Sequence, residues 1–191
     1  MDSSQIKNLM LFELGVENET DFDSNNPLVQ KVNQVYDTIK KSLLSSYRWS
    51  FSVESAKLTG AEITDNRFKY EFDLPTDFLR VEAVFQDVNE MTIYPDYIVK
   101  GKKMYSNKEE IYLRYIKNSG EEDYPDYFIE CFKFKGAVAL CYNLTGDNQL
   151  KQYLEQQFLF FYINAKNVDF RQYSTKIIKS KPYVIARNMG I

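Results

Sequence analysis

The spacing of apolar residues predicts two helices in the N-terminal part of the chain. Residues 4–14 place their apolar side chains on one helical face, and Gly15 suits the position just after a helix end. Asn26 is a suitable N-cap and Pro27 a suitable first residue for a second helix, which is expected to end near Tyr47. The two apolar stripes are Ile6, Leu9, Met10 and Leu14, and Leu28, Val32, Val35, Tyr36, Ile39 and Leu43.

From Trp49 to about Lys117 the apolar period changes to two residues, which is typical of half-buried strands. The alternating sets are Phe68, Tyr70 and Phe72; Leu79, Val81, Ala83 and Phe85; and Ile111, Leu113 and Tyr115. Turn signals separate them at Pro75, Pro95, Gly101 and Asn107. We therefore expect a small antiparallel sheet in the middle of the chain, after the two N-terminal helices.

Helical spacing returns over residues 124–145 and again from about Gln149 to Arg171. Asp123 is placed to cap the first of these helices, and Gly136 in its stripe predicts a close approach of another helix. The stripes are Phe128, Phe132, Gly136, Leu140 and Leu144, and Leu150, Leu154, Phe158, Phe161, Ala165 and Val168.

These elements predict an α+β fold with four segments. Residues 1–50 and 121–173 supply an antiparallel helix bundle of about four helices, and residues 51–120 form a small inserted antiparallel β-domain. Residues 174–191 are expected to be an extended C-terminal arm, because Pro182 prevents a continuous helix there.

Composition removes several classes of chemistry. The chain has no histidine, which excludes Ser-His-Asp and Cys-His catalysis and histidine-ligated metals. Cys131 and Cys141 would lie roughly 15 Å apart along one helix, too far for a disulfide. We expect buried free thiols in a protein assembled in a reducing cytoplasm. The N-terminus does not have the pattern of a signal peptide, and no apolar run is long enough to cross a membrane.

Motifs that could carry chemistry are weak or incomplete. Asp21, Asp23 and Asn25 resemble the start of a calcium loop, but Asn26 and Val32 stand where glycine and a bidentate glutamate are required. The chain lacks a glycine-rich phosphate loop, a CxxC pair and a GxSxG motif, and its paired acids lie in polar turns. The sequence therefore predicts no enzyme, no metal and no cofactor.

Charge is unevenly distributed along the chain. The net charge is −3, yet the segment from Phe170 onward has five basic residues and no acidic one, which leaves 19 basic and 27 acidic side chains before it. A basic end on an acidic body indicates an acidic partner or nucleic acid for that end, and the alternative is a solvated, frayed terminus without a partner. The 15 Tyr and 14 Phe suit either interfaces or the core.

Four short motifs follow one another along the chain, and their order carries more information than any one of them alone. Glu13-Leu14-Gly15 ends the first helix, and Arg48-Trp49-Ser50-Phe51 leads into the strands. An aromatic strand then runs into a Leu-Pro-x-Asp turn with a following arginine, Phe72-Asp73-Leu74-Pro75-Thr76-Asp77-Phe78-Leu79-Arg80. Finally, Leu113-Arg114-Tyr115-Ile116 precedes the helix start Pro125-Asp126-Tyr127-Phe128.

In this order, over residues 6–171, the chain resembles the tail tubular protein A family of head–tail adaptors from short-tailed bacteriophages. It departs from the family pattern at Arg48, where proline commonly precedes the tryptophan, and at residues 131–141, which contain fewer alanines. Neither departure affects the elements that define the fold.

The resemblance implies a structural protein of the virion neck, assembled in the host cytoplasm. About twelve copies would pack head-to-tail into a ring beneath the portal and continue the DNA channel toward the tail. The implied partners are other copies of the chain, the portal protein and downstream tail or ring proteins. DNA would pass through without sequence-specific binding, and no membrane is involved.

Two groups of residues are candidate functional positions. The arm is expected to dock onto the portal or a neighbouring subunit through Lys176, Ile177, Ile178, Lys179, Lys181, Pro182, Tyr183, Val184, Ile185 and Arg187. Leu74, Pro75, Asp77 and Arg80 form the family turn, which we interpret as structural. Pro75 fixes its φ angle there, and Asp77 is expected to accept backbone N–H groups or to pair with Arg80.

Two alternatives remain open from the sequence. One is another neck or tail ring protein, or a stopper, of similar fold. The other is a module that binds single-stranded nucleic acid by aromatic stacking, with Lys100-Gly101-Lys102-Lys103 as a basic hairpin tip. The isoelectric point of 5.2 disfavours the second, and a salt-dependent mobility shift would decide it.

Overall fold

The computed structural model describes residues 1–19, 21–63, 67–89 and 92–172, so the predicted arm lies outside the described residues. Within them the fold is α+β, with four α-helices and two antiparallel sheets. The helices are α1 (Ser3–Phe12), α2 (Pro27–Ser46), α3 (Asp126–Thr145) and α4 (Asn148–Phe170). The strands are β1 (Val53–Thr59), β2 (Ala61–Glu62), β3 (Tyr70–Asp73), β4 (Phe78–Phe85), β5 (Tyr97–Lys100), β6 (Lys103–Ser106) and β7 (Glu110–Lys117).

Local signals set most helix ends where the sequence predicts them. Asn26 caps α2 by accepting the Leu28 N–H at 3.0 Å, with Pro27 as the first helical residue. Gly15 follows α1 with a φ of 67°, in the left-handed region that favours glycine. The predicted Asp123 cap is wrong: α3 has no side-chain cap, and Asp123 lies two residues too early, in a short 3₁₀ turn.

α3 is the central helix of the molecule. α1, α2 and α4 each pack against it, so it buries residues on several sides instead of the single predicted stripe. The buried set is Phe128, Ile129, Cys131, Phe132, Phe134, Gly136, Ala137, Leu140 and Cys141. A Cβ atom on Gly136 would overlap the Met10 side chain, which confirms the close helix approach predicted at this glycine.

The strands form two sheets instead of the one expected. The first has the order β1-β7-β4 and the second β2-β3-β6-β5, and every neighbouring pair is antiparallel. Both sheets contribute to one shared core: Phe72, Val84, Tyr94, Met104, Ile111, Leu113 and Tyr115. A 3₁₀ turn over Ser50–Ser52 joins α2 to β1 and thereby connects the helical core to the strands.

Candidate functional site at the junction of helices and strands

The Leu-Pro-x-Asp turn connects β3 to β4. The Leu74 N–H donates to the Lys102 carbonyl at 3.1 Å, and the Phe78 N–H donates to the Pro75 carbonyl at 3.0 Å. The Asp77 carbonyl accepts the Asn118 N–H at 2.7 Å, just beyond the end of β7. Backbone hydrogen bonds therefore hold this turn against both sheets.

The side chains of the turn take partners other than those predicted. The Tyr115 hydroxyl donates to Asp77 Oδ1 at 3.1 Å, and burial together with the Asp77 carboxylate raises the pKa of Tyr115. The Arg80 guanidinium donates to the Ser45 carbonyl at 2.9 Å and contacts Glu82 at 3.2 Å. A cation near the last carbonyls of α2 is favourable. The motif thus ties β4 to α2 and to β7.

A shallow groove of about 330 Å³ lies beside this turn. Its surface is polar and apolar in nearly equal parts, and it is lined by Leu74, Pro75, Thr76, Phe78, Leu79, Gly101 and Lys102.

Trp49 anchors the junction on its helical side. Its side chain is fully buried, and its indole N–H donates to the Leu43 carbonyl at 2.9 Å. Its ring makes edge contacts with Tyr47 and Phe128, with centroids 4.9 and 5.1 Å away. The tryptophan that the resemblance singled out is therefore a core residue that fixes the path from α2 into β1.

Asp169, near the end of α4, holds the same junction from the other side. Its carboxylate is fully buried and accepts the Ser50 N–H at 3.0 Å, the Ser50 hydroxyl at 2.7 Å and the Tyr127 hydroxyl at 2.8 Å. The Ser50 N–H belongs to the first turn of a 3₁₀ segment, where free N–H groups favour an anion. Sequence reasoning missed Asp169, because nothing in the local sequence distinguishes it from a solvated acid.

Glu121 forms a second cluster that joins α2 to the start of α3. Its Oε1 atom accepts the Lys40 ammonium at 3.0 Å and the Tyr36 hydroxyl at 3.1 Å. Burial alone would raise the pKa of Glu121, but the hydrogen bond and the charge of Lys40 hold the pKa below its ordinary value. The folded state therefore favours the ionised carboxylate.

We expect Glu121→Gln to be less stable than the natural chain near neutral pH, by an amount that shrinks in acid. Because the pKa of Glu121 is lower in the folded state than in the unfolded state, the ionised carboxylate stabilises the fold at any pH above the unfolded-state pKa of about 4.3. That stabilisation is lost as the pH falls through the folded-state pKa. Urea unfolding from about pH 7 to about pH 3 measures the difference. Glu155→Gln, on the surface of α4, is the control, and a Glu121→Gln difference that does not change with pH would contradict the assignment.

The two cysteines lie in the helical core. Cys131 and Cys141 are free and buried, as predicted, and burial raises the pKa of the Cys131 thiol to about 12. Within the described ranges, no group of three or more histidine, cysteine, aspartate or glutamate residues could hold a metal ion. No helix in those ranges is long and apolar enough to cross a membrane.

The four residues of the turn that the sequence predicts to be structural, Leu74, Pro75, Asp77 and Arg80, lie within the described residues, and Arg80 donates a hydrogen bond to α2. The ten arm residues lie outside the described residues. No protein-family profile and no curated protein sequence matches this chain.

Proposed function

We propose that this chain is a non-enzymatic structural subunit of a bacteriophage virion, the head-to-tail adaptor that forms a ring of about twelve copies below the portal. In this proposal the four helices form a bundle that builds the ring body. The strands project from it as an inserted domain toward a neighbouring virion protein, and the basic arm docks onto the portal.

The observation that carries the proposal is that two of the family-like motifs each form a hydrogen bond with the end of α2. Trp49 and Arg80, which belong to two separate motifs of the resemblance, both hydrogen-bond backbone carbonyls at the end of α2. A subunit that joins a ring through its helices and a partner through its strands needs a rigid connection between them. Two independent motifs converge on that connection here, which supports the adaptor interpretation more than either motif does alone.

The adaptor proposal is tested by mixing the purified chain with the portal of the same phage. Analytical ultracentrifugation and negative-stain imaging would follow the mass and shape of the chain alone and of the mixture. We expect a portal capped by a ring of this chain. No association at any salt concentration would overturn the adaptor assignment in favour of a stopper or another neck ring.

Deleting residues 174–191 is expected to abolish attachment to the portal. The segment combines apolar residues with basic ones, a composition that suits docking onto an acidic protein surface. The free energy of unfolding should change by less than about 0.5 kcal/mol, as for surface changes. Pull-down on immobilised portal measures attachment, with Lys176, Lys179 and Lys181 changed to serine as a second variant that tests the charge alone. Attachment that persists in the deletion variant would remove the arm from the docking model.

A further inference from the structure

The side of α4 that faces away from α3 carries a stripe of exposed, uncharged residues, four of which are large and apolar. Tyr153, Phe160, Ile163 and Phe170 are between 54 and 59% exposed, and they alternate with Gln156 and Asn167 at steps of three and four residues. We call these six residues the α4 stripe. A helix at a protein surface normally presents a polar face to solvent, so this face is unusual for a monomer.

The α4 stripe is separate from the face by which α4 packs on its own chain. That inner face buries Leu154 and Ala165, and Phe161 stacks on Phe134 of α3 with ring centroids 5.0 Å apart. The outer stripe repeats with the spacing of a seam between two packed helices. None of its six residues is charged, in a chain in which 27% of residues are, so a nucleic acid or a strongly charged protein is a poor partner for it.

The size of the α4 stripe fits a contact between proteins. An exposed aromatic or large aliphatic side chain at this level presents roughly 100 Å². The four apolar members, together with the neighbouring Leu159, which is 56% exposed, therefore present about 500 Å². That is near the upper end for the largest patch on a monomer. It would also supply most of the about 800 Å² that each partner buries in a stable interface.

A second apolar surface with the right character lies on α1. A groove of about 280 Å³ is lined by Met1, Gln5, Asn8, Leu9, Phe12 and Asn18, and Phe12 is 71% exposed. Like the α4 stripe, this groove is lined by uncharged side chains. α1 and α4 each pack on α3, so both outward surfaces are held by one central helix. Two different apolar surfaces on one chain suit a head-to-tail contact between copies.

We propose that the α4 stripe of one copy packs into the α1 groove of a second copy, and that this contact repeats around the ring. The repetition of this contact in a closed ring rests on the proposed adaptor function. The pairwise contact itself requires only the α4 and α1 surfaces. Phe160 and Ile163 lie at the middle of the stripe, where interface residues contribute most to binding.

The test uses the full-length chain and two single variants, Phe160→Glu and Phe12→Glu, in sedimentation equilibrium over a range of concentrations. We expect the natural chain to self-associate. Each variant alone should have a dissociation constant at least about 30-fold higher. An equimolar mixture of the two variants should form dimers, because one α4 stripe and one α1 groove remain intact in each mixed pair. Val88→Glu, at an exposed apolar residue outside both surfaces, is the matched control and should associate like the natural chain.

Several results would overturn the contact. A natural chain that stays monomeric up to about 1 mM would do so. So would a Phe12→Glu variant that associates normally, since the α4 stripe would then pair with itself or with another surface. A photo-crosslinking benzoylphenylalanine in place of Phe160 should capture α1 of a second copy. Capture of residues 173–191 of the same chain would mean that the C-terminal segment occupies the stripe instead.

The contact and the adaptor function fail in different ways. A chain that self-associates through α4 and α1 but ignores the portal would overturn the adaptor function and leave the contact standing. A chain that caps the portal equally well with Phe160→Glu and Phe12→Glu would overturn the contact and leave the function standing.

Discussion

Replacing Asp169 by alanine is expected to lower the free energy of unfolding by about 2–4 kcal/mol. The carboxylate is fully buried and accepts hydrogen bonds from the N–H and hydroxyl of Ser50 and from the hydroxyl of Tyr127. Alanine would leave these donors without their acceptor, and an unsatisfied buried donor costs more than the hydrogen bond itself contributes. The variant should also release the end of α4 from the turn that leads into β1.

Urea unfolding followed by the fluorescence of Trp49, the single tryptophan, measures this loss. Glu155→Ala is the matched control, because it removes a half-exposed acid from the same helix and should change stability by less than about 0.5 kcal/mol. Asp169→Asn keeps an acceptor for Ser50 but loses the charge, so we expect an intermediate loss. If Asp169→Ala proved as stable as Glu155→Ala, the carboxylate would not hold the junction.

The parts of the fold that depend on nearby residues are predictable from the sequence. Asn26 and Pro27 start α2, and Gly15 ends the segment of α1, because capping and left-handed turns depend on residues within one helical turn. Gly136 also signals its close helix approach, since a glycine inside an apolar stripe needs a packing reason. Two periods, 3.6 and 2, separate helices from strands along the chain.

The parts that depend on distant residues are not predictable in this way. Ser50 and Asp169 are 119 positions apart, and no periodic pattern links them. Strand alternation says which face of a strand is buried but not which strand lies beside it, so it does not predict the division into two sheets. α3 buries residues on several sides because α1, α2 and α4 all pack against it, whereas a single apolar stripe predicts burial on one side only.

At the candidate site, too, the sequence indicates which residues matter but not which distant residues they contact. The resemblance draws attention to Asp77 and Arg80, and both lie at the junction, but their partners are Tyr115 and Ser45. Those partners come from β7 and α2, so the pairing is set by tertiary structure. Sequence spacing alone predicts only that Asp77 accepts backbone N–H groups or pairs with Arg80.

Replacing Trp49 by alanine is expected to cost about 3–5 kcal/mol, the largest loss among the substitutions considered. The change removes a fully buried indole from among Tyr47, Phe51, Phe128 and Tyr162. It also removes one of the two side-chain donors to the Leu43 carbonyl, which still accepts the Ser46 hydroxyl. Circular dichroism during urea unfolding measures the loss without using tryptophan fluorescence. Trp49→Phe should lose less, because the ring packing is largely kept.

Tyr142→Ala is the control for Trp49→Ala, because it removes an aromatic ring that is 61% exposed on α3 and should be nearly neutral.

Trp49 and Asp169 both position Ser50, one through the adjacent backbone and the other through its carboxylate. Once either is removed, the turn at Ser50–Ser52 is already loosened, so the second substitution has less left to disrupt. The double variant should therefore lose less stability than the two single losses combined, by about 0.5–3 kcal/mol. Strictly additive losses would mean that Trp49 and Asp169 stabilise separate parts of the molecule and do not form one joint between helices and strands.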